Sequence, residues 1–336
     1  MKTYDYFAMP FLIILTAACF FLSIRKSPQN LHSDSIQQIH FLVPGGVGGG
    51  WDTTARTVGE VLRKAKLVPQ ISYENLSGGG GGKAIAHVIE TAKHQQQTLM
   101  VNSTPIVIRS LQKVFPQSFR DLTPIASIIG DYSCLVVTKD SKYNNWSQIV
   151  AEYRQKPSKI SIAGGSVKGG MDHLVAAMIC EACEIELSDL VYIPYDAGGK
   201  ALAGLISGET QLLSTGLGEA MELAKAGQLK IIAVTAPNRV KAISDIPTFR
   251  ELGYDVVFAN WRGFFAPPGI HEKQRKLYDK LFRKMYDEVL WKEARKKNGW
   301  SEIYYANDEF TQFLQRQEQQ LQKLMTKLGF IKETQK

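Results

Sequence analysis

Two glycine-rich turns stand close together near the start of this chain, each followed by a helix-like run. The first is Val43-Pro44-Gly45-Gly46-Val47-Gly48-Gly49-Gly50-Trp51-Asp52, and the second is Glu74-Asn75-Leu76-Ser77 followed by five glycines and Lys83. A third lies at Ala163-Gly164-Gly165-Ser166-Val167-Lys168-Gly169-Gly170. Glycine lets a backbone turn tightly and approach a ligand closely. A helix that begins there aims unpaired N–H groups and a partial positive charge at whatever lies in front of it. Three such turns predict a cleft lined by loop backbone and suited to an anion.

Nucleotide motifs do not fit. A phosphate-binding Walker loop needs a hydroxyl after its lysine, and Ala84 follows Lys83, with Ser77 in place of the first glycine. The dinucleotide fingerprint started at Gly46 meets Trp51 at its last glycine, and started at Gly45 it fails at Val47. Catalytic signatures are also missing: there is no G-x-S-x-G elbow, and the six histidines form no H-E-x-x-H helix or other local metal pattern. No catalytic residue, metal or cofactor is assigned.

The length of 336 residues suits two domains of ordinary size, and 44% hydrophobic with 21% charged residues reads as globular. Much of the net charge of +8 lies on helix-like sequence over residues 273–297. No nucleic-acid-binding pattern accompanies it, so it reads as a solvated helix face and nucleic acid is not an expected partner. Residues 7–24 are apolar except for Pro10, Thr16 and Ser23, with Lys2 before them and Arg25-Lys26 after. Residues 1–35 therefore read as an export signal or a short membrane anchor, placing the rest in the periplasm. Leu15-Thr16-Ala17-Ala18-Cys19 resembles a lipoprotein cleavage box. Cys134, Cys180 and Cys183 are too few and odd in number for a disulfide scaffold. The Cys180/Cys183 pair reads as partly buried small residues or a local disulfide.

Hydrophobic periodicity predicts strands over residues 39–43, 70–74, 98–102, 159–163, 190–194 and 229–234, with helices over 53–65, 83–91, 171–182 and 200–206. This alternation is that of parallel sheets covered by helices. Apolar segments at 134–138 and 256–265 are placed to cross between two lobes, and residues 272–328 read as helical. Lobe 1 is then residues 36–136 plus 259–336, and lobe 2 is residues 137–258. Ligands of open parallel sheets bind beyond the carboxyl ends of the strands, so the turns after Val43 and Ala163 would face one crevice.

The joint order of these segments resembles the tripartite tricarboxylate transporter receptor family, the Bug-type extracytoplasmic binding proteins. The resemblance is carried by Val43-Pro44-Gly45-Gly46 with Gly49-Gly50-Trp51-Asp52, Glu74-Asn75 with the glycines after it, and Ala163-Gly164-Gly165 through His173-Leu174. It continues through Ile193-Pro194-Tyr195 with Gly198-Gly199-Lys200, Ser207-Gly208-Glu209, Ile246-Pro247-Thr248, and Arg262-Gly263-Phe264-Phe265-Ala266-Pro267. It implies an α/β, two-lobed periplasmic binding protein fold of type II-like build, with parallel-rich sheets and a ligand cleft between lobes. The implied function is capture of a small di- or tricarboxylate, citrate-like, and its delivery to the membrane permease of a tripartite tricarboxylate transporter by a monomer. In the family, the loops after the first strand of each lobe hold a ligand carboxylate through backbone N–H groups and bridging water. Here these are Gly45, Gly46, Gly49, Gly50, Trp51 and Asp52, with Asn75 beside them, and Gly164, Gly165, Ser166, Lys168 and Gly169. Trp51 with Arg262 resembles the tricarboxylate branch more than the amino-acid or dicarboxylate branches.

Individual side chains admit two roles. Asp52 either caps the helix at Thr53 or orients a bridging water. Arg262 either forks onto a ligand carboxylate or closes an interlobe ion pair. Lys168 either reaches the cleft or stays solvated. His173 either donates to a ligand or serves the helix start, the commoner use. Asp196 binds a polar ligand group or closes the lobes through a cation. Arg56 and Arg109, farther from the turns in sequence, receive no role. The rival readings are an exported α/β hydrolase acting on an anionic substrate and a carboxylate sensor.

Overall fold

The computed structural model describes residues 35–332. The export segment expected over residues 1–35, with Cys19, therefore lies outside the described residues except for Ser35. Among the described residues no helix is long and apolar enough to cross a membrane.

The chain alternates strand and helix from the start: β1 Gln38–Val43, α1 Gly50–Lys64, β2 Gln70–Asn75, α2 Gly82–Glu90, β3 Thr98–Ser103 and α3 Pro105–Leu111. A long strand, β4 Thr123–Thr138, follows. A second alternating stretch contains α4 Trp146–Gln155, β5 Ser161–Gly164, α5 Met171–Ala182, β6 Val191–Pro194, α6 Gly198–Ile206, β7 Leu212–Gly216, α7 Leu217–Lys225 and β8 Leu229–Val234. The chain closes with β9 Ala259–Ala266, α8 Glu272–Asp287, α9 Val289–Lys297, β10 Tyr305–Ala306 and α10 Asn307–Lys327.

Two parallel trios form the outer parts of the sheet structure, β2-β1-β3 and β7-β5-β6. They are joined through antiparallel strands. β9 pairs with β3 and with β4 from Thr123 to Tyr132. From Ser133 to Thr138 the same β4 pairs instead with β7 and β8. One strand thus serves both sheets and changes partners between Tyr132 and Ser133. Thr235, fully buried, braces that point: its N–H donates to the Ser133 carbonyl at 2.8 Å, and its hydroxyl donates to the Phe258 carbonyl at 2.6 Å and accepts from the Ser133 N–H at 2.9 Å.

The period of two along a strand sets which core each side chain enters. Ile39, Phe41 and Val43 of β1 pack with Ala55, Val58 and Leu62 of α1, and with Tyr278 and Phe282 of α8. Leu42 and Met100 point the other way, to α2, α3 and α10. A third cluster, with Leu213, Leu217, Ala201 and Leu205, fills the far side of the second sheet. All three remaining cysteines are buried free thiols, so Cys180 and Cys183 form no local disulfide.

Several elements differ from the sequence expectation. Helix α1 begins at Gly50, not Thr53, directly after an extended Gly49 that serves as its N-cap. β7 with α7, and the short helices α3 and α4, were not anticipated from periodicity. The segment 134–138 is only the end of β4. Residues 298–304 interrupt the C-terminal helical run, where Gly299 takes φ +66° and Ser301 bridges to Gly130.

Candidate ligand-binding site

The first and third turns are built alike. Each follows the last residue of a strand, Val43 or Gly164, at the carboxyl edge of its parallel trio. Gly48 and Gly169 take left-handed φ values of +81° and +74°, which glycine adopts without steric cost. Gly49 and Gly170 follow in extended conformation as N-caps, and α1 and α5 start at the next residue. The left-handed glycine is held from the fourth residue on: the Gly48 N–H donates to Asp52 at 2.8 Å, and the Gly169 N–H donates to His173 Nδ1 at 2.9 Å. A carbonyl early in each turn is held by the neighbouring parallel strand. Asn75 Nδ2 donates to the Gly45 carbonyl at 2.9 Å, and the Tyr192 hydroxyl donates to the Ser166 carbonyl at 2.7 Å. The correspondence extends to the next turns, where Gly78 (φ 143°, ψ 144°) is matched by Ala197 (φ 112°, ψ 156°).

These contacts assign the sequence-selected side chains. Asp52 lies inside the first turn of α1 and the N-cap is Gly49, so the capping role expected for Asp52 at Thr53 is not what the helix uses. Its carboxylate accepts from Gly48, from Arg56 Nε at 2.9 Å and from Asn75 Nδ2 at 3.0 Å. Burial alone would raise its pKa, but the Arg56 guanidinium and the Gly48 and Asn75 donors outweigh it and hold the carboxyl below its usual range. Trp51 donates to Ser103 Oγ at 2.8 Å, its ring lying against Gly45 and near Gly81. His173 stacks on Tyr192 with ring centres 4.4 Å apart. Burial, with Lys168 nearby, depresses its pKa to about 4, so the ring stays neutral and Nδ1 remains an acceptor. Gly165 packs on the start of α6, where an added Cβ would lie 2.4 Å from the Gly198 nitrogen.

Arg262 and Asp131 form an ion pair of 2.9 Å, with side chains only 6% and 1% exposed. The guanidinium tucks under the start of α1, where a Cβ at Gly50 would stand 2.4 Å from Nη2, and it also donates to Thr54 Oγ1 at 3.3 Å. Burial raises the Asp131 carboxyl to about 6 against the pull of Arg262. Two further acids face this region. Glu219, at the start of α7, accepts from Thr215 at 3.0 Å, and its carboxylate lies 2.7 Å and 3.3 Å from where Cβ atoms on Gly198 and Gly50 would stand. Asp172, buried in the first turn of α5, is raised to about 7 by burial and by the Glu219 charge.

Lys168 and Asp196 stand apart from this cluster, on a cavity of about 1470 Å³ that Gly79, Gly80, Val167 and Arg109 also border. Asp196 is exposed and 3.5 Å from Lys200. Sequence reasoning had set Arg109 aside; it is 8% exposed and donates to Gln112 Oε1 at 2.9 Å. Asp131, Asp172 and Glu219 had also gone unassigned. The local signal for Asp172 and Glu219 was their place in a helix's first turn, one or two residues after a glycine.

Strand-end turns that aim helix starts into a common region are a ligand-binding architecture, and sequence comparison says whose. The profile of the tripartite tricarboxylate transporter family receptor matches residues 54–330. The chain belongs to this family. Protein BugT of Bordetella pertussis is 24% identical over 252 residues, covering 74% of this chain and 76% of that protein. A solved R. palustris protein with adipate superposes with a TM-score of 0.79 at 21% identity, covering 87% of this chain and 97% of that one. MatC from Rhodopseudomonas palustris with bound malate gives a TM-score of 0.75 at 20% identity, covering 86% and 99%. The receptor therefore has the two-lobed periplasmic binding protein fold. Its family is one of periplasmic solute-binding receptors rather than enzymes, which removes the hydrolase reading.

Proposed function

We propose that this receptor captures a di- or tricarboxylate, citrate-like in charge and size, and delivers it to the permease of a tripartite tricarboxylate transporter. The observation that carries the reading is the matched pair of turns. Each presents a helix start whose first N–H groups have no intrahelical partner; in the third turn one of them, the Asp172 N–H, already donates to Ser166 Oγ at 3.0 Å. One helix terminus favours an anion by about 0.3–1 kcal/mol when exposed and up to about 2 kcal/mol when partly buried. A carboxylate between Gly45, Gly46, Gly49 and Gly50 on one side and Gly164, Gly165, Ser166 and Gly169 on the other would draw on both. Trp51, Asp52, Asn75 and His173 fix the turns. Malate and adipate on proteins of the same fold support a carboxylate of this size.

In this reading the lobes divide where β4 changes partners, at residues 132–133 rather than the 136–137 expected from sequence, and at 258–259, and the protein acts as a monomer. Residues 1–35 direct export, which a fusion of that segment to a reporter active only outside the cytoplasm would test. Calorimetry against acids, amino acids and sugars tests the ligand class. One-to-one binding of a di- or tricarboxylate, recovered chemically unchanged, is expected; preference for a neutral sugar would overturn the proposal.

A further inference from the structure

Arg109 is more than nine-tenths buried, yet among the described residues no carboxylate lies within ion-pair distance of it. Among the described residues its side chain has one hydrogen-bond acceptor, the Gln112 amide oxygen. A buried cation without a counter-charge costs several kcal/mol. The guanidinium lines the large cavity together with Lys168, which among the described residues likewise has no carboxylate within ion-pair distance. The acids on that wall are engaged: Glu318 forks onto Arg120 at 2.8 and 2.6 Å, and Asp196 neighbours Lys200. The second glycine turn passes beside Arg109, and a Cβ at Gly80 would stand 3.2 Å from its Nε. The turn makes this approach through successive left-handed residues, with φ of +58° at Gly79 and +63° at Gly80. Gly79 and Gly80 are exposed residues, and their amides donate to no described protein acceptor.

The place is set beside the matched turns. Gly81, the next residue, lies against Pro44 and the Trp51 ring. Gln112 ties the two regions together: its Oε1 accepts from Arg109, and its Nε2 donates to the Gly169 carbonyl of the third turn at 2.8 Å. The cation is thus oriented by a residue that also holds a turn of the other sheet.

We propose that Arg109, the Gly79 and Gly80 amides and Lys168 form a second anion subsite, which takes the distal carboxylate of a two-headed ligand whose first carboxylate sits at the matched turns. The inference rests on the carboxylate reading above and names the residues of this chain that take the second carboxylate. Arg109 is then a specificity-determining residue. A guanidinium presents a planar fork to a carboxylate, and the cavity leaves its remaining N–H groups free to do so.

The test compares acids matched in length, adipate against hexanoate and succinate against butyrate, by calorimetry on the full exported chain. The unaltered protein should bind one diacid at least tenfold tighter than its monoacid. Arg109→Gln should cut diacid affinity by roughly 10- to 100-fold, the worth of a charge-assisted hydrogen bond, and leave the monoacid within about threefold. A second variant avoids removing a buried side chain. Gly80→Asp places a carboxylate beside Arg109 in a backbone conformation that Asp tolerates better than most residues. It should abolish the diacid preference while Gly80→Asn, of the same shape without the charge, retains most of it. Equal binding of diacid and monoacid by the unaltered protein, or an unchanged ratio in folded Arg109→Gln and Gly80→Asp, overturns the subsite but leaves carboxylate capture standing. Failure of all these acids, with tight binding of a neutral solute, overturns both.

Discussion

Removing the Arg262 guanidinium should destabilise the receptor far more at alkaline than at acidic pH. Asp131 is 1% exposed, and apart from Arg262 its carboxylate accepts from the Gly218 N–H at 3.1 Å. Arg262→Met would leave an ionised carboxylate in the interior with that single donor. Stranding one member of a buried pair costs about 3–5 kcal/mol. The Asp131 carboxyl titrates at about 6 in the folded protein, above its ordinary 3.8, through burial. At pH 8 Asp131 is ionised and paired in the parent. The variant's carboxyl loses the Arg262 pull and moves higher still, so it must either bury the lone charge or bind a proton, and the penalty is largest. At pH 5 the carboxyl is protonated in both proteins and needs no counter-ion, so the penalty should shrink to about 1–2 kcal/mol, the range of an ordinary lost contact. Adding Asp131→Asn should recover most of the loss at pH 8, because the amide can still accept from Gly218 and carries no charge. Urea denaturation at the two pH values, extrapolated linearly, reads all three quantities. A penalty below 1 kcal/mol at pH 8, or a double variant no more stable than the single one, would refute the ion-pair reasoning. Arg262→Met of unchanged stability that loses carboxylate affinity would make Arg262 a ligand contact instead.

Two further outcomes follow from the second sheet. Asp172 is raised to about 7 by burial and the Glu219 charge. An acid whose folded pKa lies above its unfolded 3.8 contributes stability that is fully present below 3.8 and is lost as pH rises to 7. Asp172→Asn should therefore remove part of the downward slope of stability between pH 4 and 7, and exceed the parent by up to about 4 kcal/mol at pH 8; urea denaturation over that range gives the difference, and a difference independent of pH would count against it. Ala197 holds a backbone conformation proper to glycine, a strain of order 1–3 kcal/mol. Ala197→Gly should raise the thermal midpoint, the gain reduced by about 0.5–1 kcal/mol for the freer unfolded chain.

What could be read in the sequence was what local chemistry dictates. Gly48, Gly169 and the run from Gly78 to Gly81 take the positive φ that glycine alone adopts without steric cost, and β1 and α1 show their periods because one side of each meets a core. α3 could not be read: its seven residues, with Ile106, Val107 and Ile108 all buried, have no solvent face to reveal a helical period. Arg109 was therefore not placed, since its direction follows from packing between α10 and the second turn. β4 was seen only in its apolar end because Pro124, Gly130 and Asp131 break the strand signature, and its pairing with β9 shifts register near Pro124 and Ser127. Asp131 and Arg262 stand on different strands, 131 positions apart in sequence, so no spacing could show the pair.

The shared strand has a mechanical consequence. A flexible linker lets two bodies swing with little resistance, but β4 is laddered on either side of its change of partners, from Thr123 to Tyr132 and from Ser133 to Thr138. Rotation of one sheet against the other has to be absorbed as torsion near the Tyr132-Ser133 link and in the second crossing that leads into β9, and Thr235 clamps the backbone at both, through Ser133 and Phe258. β4 then works as a torsion bar: it permits a limited twist, resists translation of the sheets past each other, and returns the molecule toward its resting angle when the load is removed.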